Sequence, residues 1–340
     1  MTSALITGVA GQDGIYLAQQ LLAQGARVVG TVNPRSARSD REGAYLDGVV
    51  IERVDLTDHD GLRSLIARET PDLVFNLAGM SSVARSWAEP EAAKSLNADP
   101  VEVILEALCR LRDETDRDVR FVQASTGEVG IGTSPYALSK ERAEGFVRTA
   151  RDRQGLHAGI ARLHIHDSPV RPATFVTRKI TAGVAAIALR QAESLTLGNL
   201  EVVRDWGFAG EYVDALVRMA SAPEPLELSI GTGIAHDLAE VVALAFAAVG
   251  IDDPAQYVVQ DPSLMRPADI PELVADPRPA RESIGWEPRV SLAELIAHMV
   301  EVDLSRARTG VGESMQYLFA PVTVAPQAGN HGWSSPSTPR

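Results

Sequence analysis

An α/β protein with a doubly wound parallel sheet and a smaller interleaved α/β lobe is what this sequence predicts. Three observations carry the prediction. A short apolar strand near the N-terminus opens into a glycine-rich turn and an amphipathic helix; strand-like and helix-like runs then alternate as far as residue 163; and beyond it the alternation loosens into short apolar runs broken by prolines. In such sheets ligands bind outside the carboxyl ends of the strands, so the turns at those ends are where chemistry is sought.

Residues 3–7 are the first strand. Gly8, Gly11 and Gly14 punctuate the turn that also holds Gln12 and Asp13, and Ile15, Ala18, Leu21 and Leu22 share one face of a helix that Gly25 ends. This is the Rossmann-type arrangement, in which glycines allow close backbone approach and the helix start offers free N–H groups to a dinucleotide pyrophosphate. Residues 27–32 form the second strand. An acidic side chain just after it would mark NAD; the chain instead reads Asn33-Pro34-Arg35-Ser36-Ala37-Arg38, whose guanidinium and hydroxyl groups suit the 2′-phosphate of NADP. A third strand at 49–54 leads to Asp55 and Leu56. A helix then carries Leu62, Leu65 and Ile66, a fourth strand spans 72–77, residues 89–113 are helical apart from Asp99-Pro100, and a fifth strand spans 119–124. Asp55, Leu56, Leu77, Ala78, Ser81 and the run 125–128 therefore fall at the carboxyl edge.

Ser134 and Pro135 open a further helix as cap and first-turn residue, and 157–165 is a sixth strand. Pro169 and Pro172 interrupt the chain just beyond it. Helices are expected at 174–190, 211–222, 236–249 and 291–306, strands at 195–197 and 226–230, and a loop at 202–210. The expected organisation is a dinucleotide-binding domain over 1–163 with contributions from about 207–232, a ligand-closing lobe from 164–206 and 233–308, and a flexible tail over 309–340, which is rich in Pro, Ser, Gly and Gln.

Composition narrows the function. With 45% hydrophobic residues in 340, the chain can bury a sizeable core, and no run is apolar for long enough to span a membrane. The N-terminus lacks the charged, apolar and cleavage regions of a signal peptide, so a cytoplasmic protein is expected. A formal net charge of −13 argues against nucleic acid or an anionic membrane as partner, while an anionic small molecule is admissible where basic residues converge. The single cysteine, Cys109, excludes an internal disulfide and a multi-thiolate metal site, and no metal is expected.

The chemistry concentrates between Gln123 and Lys140, where a strand leaves through a glycine-broken loop into a helix. Thr126, Glu128, Tyr136 and Lys140 gather a hydroxyl, a carboxylate, a phenol and an amine. Tyr136 and Lys140 are one helical turn apart, so the ammonium is placed to stabilise a phenolate and make the tyrosine a base.

With the glycine turn and Tyr136-x-x-x-Lys140, the chain resembles the extended short-chain dehydrogenase/reductase superfamily. Within it the resemblance is to the GDP-mannose 4,6-dehydratase family. That narrower likeness rests on Ala4 through Gly14, on Gln123-Ala124-Ser125-Thr126 with Glu128, on Thr174-Phe175-Val176-Thr177-Arg178-Lys179, on Arg204 through Gly210, and on Arg266-Pro267-Ala268-Asp269. It implies a redox-neutral dehydration of a nucleotide sugar with bound NADP. Tyr136 would take the proton of the sugar 4-OH as hydride leaves C4; Glu128, aided by Thr126, would take the C5 proton and help expel the C6 hydroxyl as water; the hydride then returns to C6. The resemblance further implies cofactor contacts at His166 and Arg171, a grip on the nucleotide diphosphate by Lys179, Arg204 and Arg266, and a guanine contact at Asp269.

Departures from the family pattern are equally specific. Only seven residues separate Glu128 from Tyr136, where the family carries a longer loop over the active site, and this should open the sugar pocket. Ile165 replaces an asparagine expected near substrate, and an isoleucine cannot supply an amide's hydrogen bonds. Val170 and Ala173 replace charged residues of a loop associated with subunit contacts, so a homodimer is expected rather than the family's tetramer. The alternatives left open are a related dehydratase, epimerase or unsaturated-sugar-forming enzyme on another sugar, such as a heptose, and a catalytically silent dinucleotide-binding sensor.

Overall fold

Alternating runs that are apolar on both faces fold here into buried parallel strands. The computed structural model describes residues 1–35, 40–265 and 270–318. The strands, in chain order, are β1 (Ser3–Thr7), β2 (Arg27–Val32), β3 (Val50–Arg53), β4 (Leu73–Asn76), β5 (Arg120–Thr126), β6 (His157–Leu163), β7 (Ile165–Asp167), β8 (Leu195–Leu197), β9 (Val203–Arg204), β10 (Trp206–Phe208), β11 (Glu227–Ile230), β12 (His236–Asp237), β13 (Val258–Gln260) and β14 (Glu272–Leu273). Seven of them make one sheet in the order β11-β6-β5-β4-β1-β2-β3, every neighbouring pair parallel. The order reverses between β1 and β4, the switch point at which a doubly wound sheet opens a crevice.

The helices are α1 (Gln12–Ala23), α2 (Asp40–Tyr45), α3 (His59–Glu69), α4 (Val83–Ala88), α5 (Pro90–Asn97), α6 (Asp99–Thr115), α7 (Pro135–Gln154), α8 (Val176–Ala188), α9 (Ala209–Ser221), α10 (Leu238–Ala247), α11 (Arg278–Ile284) and α12 (Leu292–Thr309). One face of the sheet is covered by α1 and α9 through Leu17, Tyr212 and Leu216; the other by α3, α6 and α7 through Leu65, Leu108 and Val147. A third core, with Trp206, Phe246 and Ile296, joins α8, α10 and α12 in the smaller lobe, where β7 pairs with β10, β8 with β13, and β9 lies between β12 and β14.

Two expectations are corrected. The loop expected over 202–210 contains β9 and β10 and the first residues of α9: buried Trp206 and Phe208 alternate with Gly207, whose missing Cβ leaves room for the Tyr212 ring. The helix α2 was not anticipated, because its six residues carry no apolar period. Of the stretch 309–340, the residues through 318 are described: Met315–Leu318 form a 3₁₀ turn with Tyr317 buried. Residues 319–340 lie outside the described part.

Within the lobe, α8 and α12 are pinned together by a buried charge cluster. Arg178 of α8 donates to Asp303 of α12 through Nε (2.9 Å) and approaches its other oxygen through Nη2 (2.7 Å), while Thr181 and Arg306 donate to the same carboxylate at 2.7 and 3.1 Å. Removing the acid leaves buried guanidinium uncompensated. Asp303→Ala should therefore lower stability by about 3–5 kcal/mol, read as a fall in the urea midpoint at unchanged m-value.

Candidate active site

The first turn carries a steric requirement. Gly8 adopts φ +73°, and a Cβ there would lie 3.0 Å from the Ala78 Cα; at Gly14 a Cβ would come within 2.6 Å of the Gly8 carbonyl oxygen. Only glycine permits this crossing of backbones. It leaves the N-terminus of α1, capped by Gly11 without any side-chain bond, facing a cleft of about 420 Å³. Gly8, Gly11, Gln12, Asp13 and Gly14 form its floor, Leu56, Leu77, Ala78 and Ser81 one wall, and Arg171, Pro172 and Phe175 the other. Close backbone, free helix N–H groups and a guanidinium opposite fit a dinucleotide pyrophosphate.

Arg35 and Asp55 are not among the lining residues but neighbour those that are, Asn33, Val54 and Leu56. The Arg35 guanidinium is largely exposed and 3.7 Å from Asp55, while Asn33 accepts a bond from the Arg35 N–H at 2.8 Å. Asp55 also accepts from Thr57, whose bonds hold its carboxyl below the usual range. Ser36, Ala37 and Arg38 lie outside the described residues.

His166 stands behind the glycine turn. Its Nδ1 meets the His164 carbonyl at 2.7 Å and its Nε2 meets Asp13 Oδ1 at 3.0 Å, with the ring stacked on Tyr212 at 4.7 Å between centroids. Burial opposes its charge, but the Asp13 carboxylate outweighs burial and raises the pKa above 6.5. Both ring nitrogens are engaged, so His166 reaches the cleft through Asp13. Gln12 completes the lattice, donating to the His166 carbonyl at 3.0 Å and accepting from Ser168 at 2.8 Å. Arg171 lies 3.2 Å from Asp167 and 3.8 Å above the Phe175 ring.

The catalytic candidates emerge from β5 and α7. Thr126 ends β5 in a buried position, and its Oγ1 accepts from the Glu128 N–H at 3.3 Å. Ser134 caps α7, accepting from the Ala137 N–H at 3.1 Å and lying 3.5 Å from Glu128 Oε2. The short connection closes because the Gly132 N–H donates to the Glu128 carbonyl at 2.7 Å. Tyr136 and Lys140 lie on successive turns of α7, yet the ammonium donates to the Ala124 carbonyl at 2.9 Å. The phenol is pushed up to about 12 by burial and by the Glu128 charge, against a lowering bond from Thr126; burial pulls Lys140 down to about 8. Burial thus outweighs the lowering of the phenol pKa expected from its spacing to Lys140.

In the smaller lobe, Lys179 is half-buried on α8, and Arg204 is buried on β9 with Nη1 donating to the Val203 carbonyl at 2.8 Å. Arg266 and Asp269 lie outside the described residues. Ile165 packs among the apolar side chains around Trp206.

Two residues of the site escaped sequence reasoning. Asn97 binds the Met80 N–H at 2.7 Å and donates to Ser139 at 3.0 Å, tying the loop after β4 to α7 between Tyr136 and Lys140. His164 lies directly under Gly127, where a Cβ would sit 2.6 Å from its Nε2. Only its place immediately after β6 was a signal. Among the described residues, no group of three or more His, Cys, Asp or Glu could hold a metal ion, and no helix is long and apolar enough to cross a membrane.

Sheet, crevice and Tyr-x-x-x-Lys helix together define a nicotinamide-dinucleotide enzyme of the extended short-chain dehydrogenase/reductase type. A family model described as GDP-mannose 4,6 dehydratase matches residues 5–129 and 131–299, and the chain belongs to that family of nucleotide-sugar hydro-lyases. Relatives include GDP-mannose 4,6 dehydratase 2 of Caenorhabditis elegans, 35% identical over 343 residues covering 89% of each chain. The GDP-mannose 4,6-dehydratase of Vibrio cholerae is 35% identical over 353 residues, covering 90% of this chain and 94% of that one. Among solved structures, the UDP-glucose 4-epimerase of Thermus thermophilus in complex with NAD superposes with a TM-score of 0.76 at 26% identity, over 91% of this chain and 100% of that one.

The His166–Asp13 pair has a pH signature. Because the folded pKa lies above 6.5, its stabilisation is full below about pH 6.5 and is lost as pH rises through the folded value. In His166→Gln that part of the pH dependence of the urea midpoint, followed from about pH 5 to 9, should vanish.

Proposed function

We propose that the chain converts GDP-mannose to GDP-4-keto-6-deoxymannose with NADP retained through the cycle, acting as a cytoplasmic homodimer. The observation that carries this reading is the gathering of Thr126, Glu128, Tyr136 and Lys140 at the end of β5 and the start of α7, at the carboxyl edge of the sheet, in a chain of this family. Bound NADP supplies the acceptor for the hydride leaving C4 and the donor for the hydride arriving at C6. Tyr136 takes the 4-OH proton. The 4-ketone so formed acidifies C5–H, which the Glu128 carboxylate removes before returning the proton to the departing C6 hydroxyl; Thr126 binds the phenol and fixes the Glu128 N–H. Lys179, Arg204 and Arg266 bring local positive charge to the diphosphate despite the net charge of −13, and Asp269 is assigned to guanine.

The choice of NADP rests on Asn33 and the exposed Arg35 where NAD enzymes place a carboxylate. A second reading, a bulkier sugar such as a heptose, is favoured by the short connection, which leaves Ile131 59% and Leu138 53% exposed beside the site. Product mass separates the outcomes: dehydration removes one water, epimerisation conserves mass, reduction consumes NADPH.

Given GDP-mannose, purified protein should yield a product lighter by one water, and intact substrate across a panel of GDP, UDP, dTDP, CDP and ADP sugars would exclude the reaction. Tyr136→Phe and Glu128→Gln should each lower kcat by about 10²–10⁴-fold. Arg35→Ala should weaken NADP binding by about tenfold or more while leaving NAD binding unchanged, since only the former presents a phosphate to the guanidinium.

A further inference from the structure

Beyond α12 the chain turns back across the dinucleotide half. The Glu313 carboxylate accepts from Arg41 Nε at 2.9 Å and from the Tyr45 hydroxyl at 2.8 Å, with Arg306 Nη2 at 3.4 Å. The Ser314 N–H donates to the Tyr45 oxygen at 3.1 Å. Tyr317 lies under the Arg306 guanidinium, 4.5 Å from ring centre to charge, and its hydroxyl donates to the Val311 carbonyl at 2.9 Å. These bonds lock the turn to α2 and α12.

Arg41 is shared. Its Nη2 donates at 2.7 Å to the carbonyl of Val170, next to Arg171, which with Pro172 and Phe175 walls the cleft. On its other side Arg41 belongs to the helix that comes after Asn33 and Arg35, at the opposite end of the same cleft. Tyr45 is fully buried and its carbonyl accepts from Gln19 of α1, the helix whose N-terminus floors the cleft. Glu313 therefore fixes a side chain that joins α2 to the segment next to one wall of the dinucleotide cleft. Arg41 and Glu313 are each about four-fifths covered, 19% and 18% exposed, so the pair is shielded enough for its geometry to matter.

We infer that residues 310–318 form a strap, with Glu313 and Arg41 as positioning residues, that holds the cleft closed on its dinucleotide and slows cofactor loss. This rests on the dinucleotide reading of the cleft. Retention matters because a redox-neutral cycle regenerates its cofactor in place, and an enzyme that releases it between the two hydride steps strands its intermediate.

The test measures NADP dissociation from full-length wild type, Glu313→Ala and Tyr45→Phe by displacement of the fluorescent cofactor NADPH, alongside kcat at limiting and saturating NADP. Glu313→Ala should release the cofactor about tenfold faster or more, and Tyr45→Phe, which keeps the ring in its buried site, less so. Saturating NADP should restore kcat in both. Unchanged dissociation in a folded Glu313→Ala protein, or a loss of kcat that added NADP does not repair, overturns the strap. If Glu313→Ala fails to fold, Tyr45→Phe decides by the same readout. Wild-type protein that binds neither NADPH nor NADH would instead refute the dinucleotide reading itself.

Discussion

The site depends on three strands held at one level, where β1 and β4 end and β5 runs on to Thr126. Thr7, Asn76 and Gln123 are neighbours across β1, β4 and β5, and they form a buried relay: Thr7 donates to Asn76 at 2.6 Å, Asn76 to Gln123 at 2.9 Å, and Gln123 to the Ala124 carbonyl at 2.7 Å. Thr7 also accepts the Leu77 and Ala78 N–H groups, both at 3.1 Å. Buried amides cannot be left half-satisfied without cost, so the relay fixes the register of the three strands and where β1 and β4 turn. The glycine turn, the loop of Ala78 and the Thr126–Glu128 segment all hang from it, and a slip of one residue in any strand would scatter them.

Charge is organised on the same principle. A chain that is acidic overall keeps a buried carboxylate matched: Glu144, fully buried one turn beyond Lys140, is held by Arg162 at 2.6 and 2.9 Å and by Arg148 at 2.8 Å, and accepts from Ser125 at 2.7 Å. This network reinforces the back of β5 and α7 without reaching into the cleft. Toward the front, Asp13 is matched by His166, and Asp167 by Arg171. Arg171, which lines the cleft, is thereby held in place by Asp167, and preorganisation of this kind lowers the cost of binding.

The central sheet was legible because burial on both faces writes strands as continuous apolar runs and the helices between them as amphipathic periods. The short pieces were not. Val203–Arg204 and Trp206–Phe208 are too brief to show a period, and what makes them strands is pairing with β14, β12 and β7, all distant in sequence. Local composition likewise made 309–318 read as tail, whereas Glu313 and Tyr317 are held by partners on α2 and α12. In the site, Tyr136 and Lys140 stood out by spacing, but Asn97 and His164 act through contacts that only the folded chain creates.

Spacing alone also overstated the tyrosine. One helical turn between Tyr136 and Lys140 is compatible with an activated phenol, but the burial that shapes the pocket acts on both groups, raising the phenol to about 12 and lowering the ammonium to about 8. Near neutral pH the phenol is therefore neutral, and the charge of the Glu128 carboxylate opposes its ionisation further. Ionising this phenol against such resistance requires compensating positive charge nearby. The same burial that raises Tyr136 makes its ionisation respond strongly to nearby charge, because a low-dielectric surrounding magnifies both effects.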